Sequence, residues 1–147
     1  MFYVGIFFLF LSCNSKSNSP EFIERVSGRY LMNSDEAVEV YFENEELLMK
    51  WRGAERLKPL ALGAETFFVK EMNEKITFQT SPNDGLVYLC IVPKEKESII
   101  RYDAPMMGIN DKTPSELLDL GEYESAKKAI IEIRQKDSTN FLVAESF

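Results

Sequence analysis

The sequence predicts a mainly β domain followed by a helical tail. Between residues 28 and 102, apolar and polar side chains alternate with a period of two through a series of short runs. Brief segments rich in Gly, Asn, Asp and Pro separate those runs, and such short connections force antiparallel neighbours. Beyond Tyr102 the apolar spacing changes to the three-and-four pattern of an amphipathic helix. At 147 residues and 45% hydrophobic content, the chain has material for one domain of ordinary size with a small appendage.

Residues 1–12 are apolar apart from the closing Ser12 and carry no charged side chain. As a helix they reach only about 18 Å, well short of a ~30 Å hydrocarbon core, so they read as a signal-peptide segment and not as a span. The run Phe10-Leu11-Ser12-Cys13 resembles the lipobox of bacterial lipoproteins, where a small residue precedes a cysteine that is acylated and becomes the new N-terminus. The resemblance implies lipidation of Cys13 and attachment to a membrane of the bacterial cell envelope. No acidic residue directly follows Cys13, unlike the surface-export signals of some lipoproteins, so the resemblance implies a periplasm-facing domain. The competing reading is a cleaved or buried apolar N-terminus with an ordinary cysteine. Residues 13–19 then form a polar tether, since 14–19 contain no apolar side chain. With Cys13 acylated, Cys90 is the one remaining thiol; it lies in the apolar run LVYLCIV and reads as a small buried hydrophobe.

The folded part is expected over 20–103. Ser19-Pro20 before EFIERV gives an N-cap and a proline at the first helical position, so a short helix leads in and ends near Gly28. In AVEVYFE, Val38, Val40 and Phe42 share one face; in ELLMKWR, Leu47, Met49 and Trp51 do. Asn44-Glu45 between them completes a hairpin signature, because Asn tolerates the left-handed conformation a tight turn requires. RLKPLA, ETFFVK, KITFQT and GLVYLCIV follow, with GRYLM first and SIIRY last, for about eight strands. An up-and-down antiparallel small β-barrel or strongly bent sheet buries their apolar face most economically. Its aromatic residues, among them Phe42, Trp51 and Phe78, either fill the interior or line a site for a small apolar ligand. Short strands make a barrel shallow, which favours filling.

The series GRY, VEVYFENEELLMKW, LKPLALGAETFFV, KITF and NDGLVYL resembles the small lipocalin-like domain that follows serine β-lactamase-like hydrolase domains in bacterial chains. The resemblance implies the barrel, while the hydrolase is missing from this sequence. After a linker over 104–112, the tail occupies 113–147. Thr113-Pro114-Ser115-Glu116 forms a capping box that opens SELLDL, which stops at Gly121. A second helix, from about Glu122 to Lys136, aligns Tyr123, Ala126, Ile130 and Ile133 in one stripe. The run LLDLGEYESAKKAIIEIRQKDS is similar to one tetratricopeptide repeat with a shortened first helix. Such repeats bury their faces by stacking, so a lone unit must pack on something else.

The composition excludes several functions. There is no histidine, which removes Ser-His-Asp, Cys-His and HExxH chemistry. Acidic residues outnumber basic ones 24 to 17, so a nucleic-acid backbone meets net repulsion. The acidic residues near 35–46 lack the spacing that wraps a hard cation, no carboxylate pair stands out, and the glycines form no phosphate cradle. No metal and no cofactor is expected. What remains is a membrane-anchored lipoprotein acting as a non-catalytic binding or protein-interaction module, with Tyr123, Ile130 and Ile133 as its partner surface. Two alternatives stand beside it: a carrier of a small apolar or lipid ligand in the barrel interior, and a truncated C-terminal remnant of a hydrolase-type chain.

Overall fold

The computed structural model describes residues 18–108 and 110–145, with 137–145 as backbone alone. Ser19 caps helix α1 (Pro20–Val26) by accepting a hydrogen bond from Phe22 N at 3.2 Å, and Pro20 occupies the first turn, where a missing N–H costs nothing. Ser27 ends the helix in an extended conformation and leads into β1 (Gly28–Asn33).

β1, β2 (Glu36–Glu43), β3 (Glu46–Trp51) and β4 (Ala54–Leu57) pair in chain order as one antiparallel sheet. The β2–β3 turn places Asn44 at φ 50° and Glu45 at φ 64°, a left-handed pair whose twist suits a two-residue hairpin. The second sheet contains β5 (Leu60–Gly63), β6 (Thr66–Val69), β7 (Glu74–Thr80), β8 (Val87–Ile91) and β9 (Ala104–Pro105), again antiparallel and in chain order. The two sheets touch where β9 passes β1: Tyr30 and Met106 form an isolated bridge, and Met107 N donates to Arg29 O at 2.8 Å.

The described strands number nine, not about eight, and they form two sheets and no closed barrel. Two segments account for the difference. RLKPLA divides into the end of β4 and the start of β5 because Pro59 fixes its own φ and offers no ladder donor. SIIRY is irregular, and Ile99, Ile100 and Tyr102 are exposed. The amide of Ile91 donates to the Asp103 carboxylate at 2.8 Å, so a side chain ends the β8 ladder there, and the pairing resumes at β9 within 104–112, the stretch expected as a linker.

Both sheets and α1 supply the core. Trp51, Tyr30, Phe78 and Met49 are its largest fully buried side chains. Phe22 lies between the sheets, with ring centroids 6.1 Å from Phe42, 5.9 Å from Phe67 and 6.0 Å from Phe78, at the separations favourable to aromatic pairs. The tail comprises α2 (Pro114–Asp119) and α3 (Tyr123–Glu145), the latter longer than the 122–136 stretch its stripe marks.

Candidate functional site

The helical hairpin is built from short-range signals. Thr113 Oγ1 accepts from Glu116 N at 3.4 Å while Glu116 Oε2 accepts from Thr113 N at 2.8 Å, so both halves of the capping box are made. Gly121, at φ 76°, ends α2 with paired bonds from Gly121 N to Leu118 O and from Glu122 N to Leu117 O, each 2.9 Å. This Schellman arrangement reverses the chain into α3.

Polar contacts fasten the hairpin to the β1–β2 end of the first sheet. The Asp35 carboxylate, in the turn between those strands, accepts from both Ser115 N (2.9 Å) and Ser115 Oγ. Arg29 of β1 reaches Asp111 O at 2.6 Å and pairs with the Glu116 carboxylate. Burial works against the charge on Glu116, but the donors Arg29 and Thr113 N together outweigh it and hold the carboxyl below its ordinary range. The capping residue of α2 is therefore also its ionic link to the sheet.

This placement opens a groove of about 560 Å³ between α3 and the place where β1 meets β9. Its apolar lining includes Leu31, Leu86, Met106, Met107, Pro114 and Ile133, while Asp111, Lys112, Glu132 and Lys136 supply charge of both signs. A second cleft of about 260 Å³, on the β1–β2 turn side, includes Leu118, Ile130 and Ile133. Ile130 and Ile133 thus come together as their spacing predicts, and Ala126 is fully buried. Tyr123 does not join them: it is 68% exposed and lines neither groove, the first α3 residue to line either being Ala129. Sequence reasoning missed Leu31, Leu86, Met106 and Met107. The adjacent methionines are visible in the sequence, but their role depends on the β1–β9 approach.

Of the other candidates, Trp51 and Phe78 are 2% and 1% exposed and Phe42 packs partly buried against them, so all three belong to the core and none lines the tail grooves. Cys13 lies outside the described residues. Cys90 is buried, and that burial, with the nearby negative charge of Asp103, pushes its thiol up to about 11, far from a nucleophile's range. Among the described residues, no group of three or more His, Cys, Asp or Glu side chains is placed to hold a metal ion, and no helix is long and apolar enough to cross a membrane. The chemistry available at the groove is recognition: apolar and thioether surface for side chains, with paired signs of charge at its margin. Comparison with protein-family models, curated proteins and solved structures found no match.

Proposed function

We propose that the protein is a lipoprotein of the bacterial envelope, anchored through Cys13 and facing the periplasm, that acts without catalysis as a protein-interaction module. Its β part is a lipocalin-like barrel left open between β4 and β5, and its tail is a single tetratricopeptide-like unit resting on the sheet instead of on a second repeat. One observation carries the reading. The hairpin is held at the sheet by Asp35 and Arg29, yet an apolar, methionine-lined groove stays open along α3. A fixed apolar groove with charge of both signs at its edge suits the side chains of a protein partner. The interior offers less to a small ligand, because Trp51, Tyr30, Phe78 and Met49 are fully buried members of one core cluster.

Co-purification tests this. The acylated full chain is extracted from envelopes in mild detergent beside Ile133→Lys, which places a charge in both grooves. The same partner should co-purify reproducibly with the wild type and be lost with Ile133→Lys at unchanged melting temperature. Equal recovery with both, or a wild type that comes through alone and carries a lipid in native mass spectrometry, rejects the interaction reading.

A further inference from the structure

At the end of β2 opposite the helical hairpin, an apolar strand stands exposed beside the place where the N-terminal segment joins the fold. β5 reads Leu60-Ala61-Leu62-Gly63, every residue of it is exposed, and Ala64 continues the run. Leu60 and Leu62 are 64% and 50% exposed. An uninterrupted apolar stretch on the surface calls for something that covers it.

Asn18 sets the start of the described chain beside this strand. Its side-chain amide donates to Glu45 O at 2.9 Å, pinning the first described residue to the β2–β3 turn. It also lines two clefts along β5, one of about 640 Å³ shared with Lys58, Leu60, Ala61 and Phe67, the other of about 210 Å³ shared with Phe22, Ala61 and Gly63. Cys13 stands five residues before Asn18, which at full extension is at most about 18 Å. If Cys13 carries the acyl chains, as the proposed function holds, this corner of the domain cannot leave the bilayer surface by more than that distance. The ion pairs Lys58–Glu46, at 2.7 Å, and Arg25–Glu65 flank the strand, so these four charges are paired off beside it.

We propose that Leu60 and Leu62 insert into the lipid interface and, with the acyl anchor, orient the domain on the membrane. Acyl chains hold a protein to a membrane but leave its orientation free, and apolar side chains beside the anchor remove that freedom. The orientation has a consequence for the groove. β2 has eight residues, about 26 Å of strand, and separates the Asn44–Glu45 turn from the Asp35 turn that holds α2. A lipid-facing β5 therefore presents the helical hairpin away from the bilayer. Addition of a partner strand to β5 is the less favoured occupant, since the β5–β6 register breaks between Ala61 and Gly63 and leaves little regular edge to extend.

The test uses the acylated full chain in phosphatidylcholine–phosphatidylethanolamine vesicles, with a nitroxide at Leu60→Cys, at Leu62→Cys or at the exposed Asp119→Cys; buried Cys90 stays unlabelled. Intact mass first establishes whether Cys13 carries lipid. At positions 60 and 62, collision with oxygen relative to a water-soluble nickel complex should rise severalfold on vesicles, and at position 119 it should stay at its aqueous value. Labels at 60 and 62 as open to nickel as at 119, on lipid-bearing protein, overturn the insertion and leave the anchor standing. Labels shielded from both reagents, with a doubled particle mass in detergent, overturn it in favour of pairing between copies. A chain without lipid on Cys13 overturns the anchor, and the proposed orientation falls with it.

Discussion

The indole of Trp51 lies in the core with its Nε1–H on the Glu36 carboxylate at 2.7 Å, so one residue joins apolar packing to a partly buried ionic group. Removing the ring by Trp51→Ala leaves a cavity among Met49, Val38 and their neighbours and should destabilise the fold by about 3–5 kcal/mol in urea unfolding. A loss below about 1 kcal/mol would mean that the ring is solvated and not packed. Burial opposes the charge on Glu36, yet hydrogen bonds from Trp51, Arg52 and Asn33 outweigh it and hold the carboxyl below its ordinary range. A carboxyl lowered in the folded state stabilises above its unfolded pKa of about 4.3, and that contribution is lost as pH falls through the folded value. Glu36→Gln should therefore flatten the acid side of a stability–pH curve below about pH 4.3 while lowering stability at pH 7; an unchanged acid limb would remove Glu36 from the account. The burial of Trp51 was legible from its period-two register with Leu47 and Met49. Its bond to Glu36 was not, because it depends on the diagonal reach between β2 and β3 and on no local pattern.

At the level of elements, local signals with stereochemical force were the readable ones. Ser19-Pro20, Asn44-Glu45, the capping box at Thr113 and the stop at Gly121 all appear where the sequence places them. Each fixes a dihedral angle or satisfies an orphan backbone group within four residues. The failures were long-range. SIIRY has the composition of a strand, but β8 is already terminated by the Asp103 side chain, and the two-residue β9 that pairs in its place has no periodicity to detect. RLKPLA has the pattern of one strand, but Pro59 interrupts it and the two halves belong to different sheets. The hairpin gives this scale its prediction. With Gly121 at φ 76°, Gly121→Ala forces a Cβ into left-handed backbone at a cost of roughly 1–2 kcal/mol. Nothing lies within 4 Å of the added methyl, so the cost is conformational and not a clash. Amide exchange in α2 and the first turns of α3 should accelerate while exchange in β7 and β8 stays unchanged; equal acceleration throughout would mean that hairpin and sheets open as one unit.

Across the whole molecule, the two ends of β2 carry different surfaces. The Asn44–Glu45 end holds Asn18 and the exposed β5, and the Asp35 end holds the helical hairpin with its groove. The two-sheet arrangement explains why the groove was only half legible: Ile133 came from helical spacing, whereas Leu31, Leu86, Met106 and Met107 are assembled by the approach of β9 to β1. The proposed meeting of the groove with a protein of the envelope is tested most directly by photo-crosslinking in living cells. A photoreactive residue at Ile133 in the groove should give one discrete protein adduct, and the same residue at the exposed Lys128, about 140° around α3, should give none. No adduct at Ile133, or the same adducts from both positions, would contradict the account.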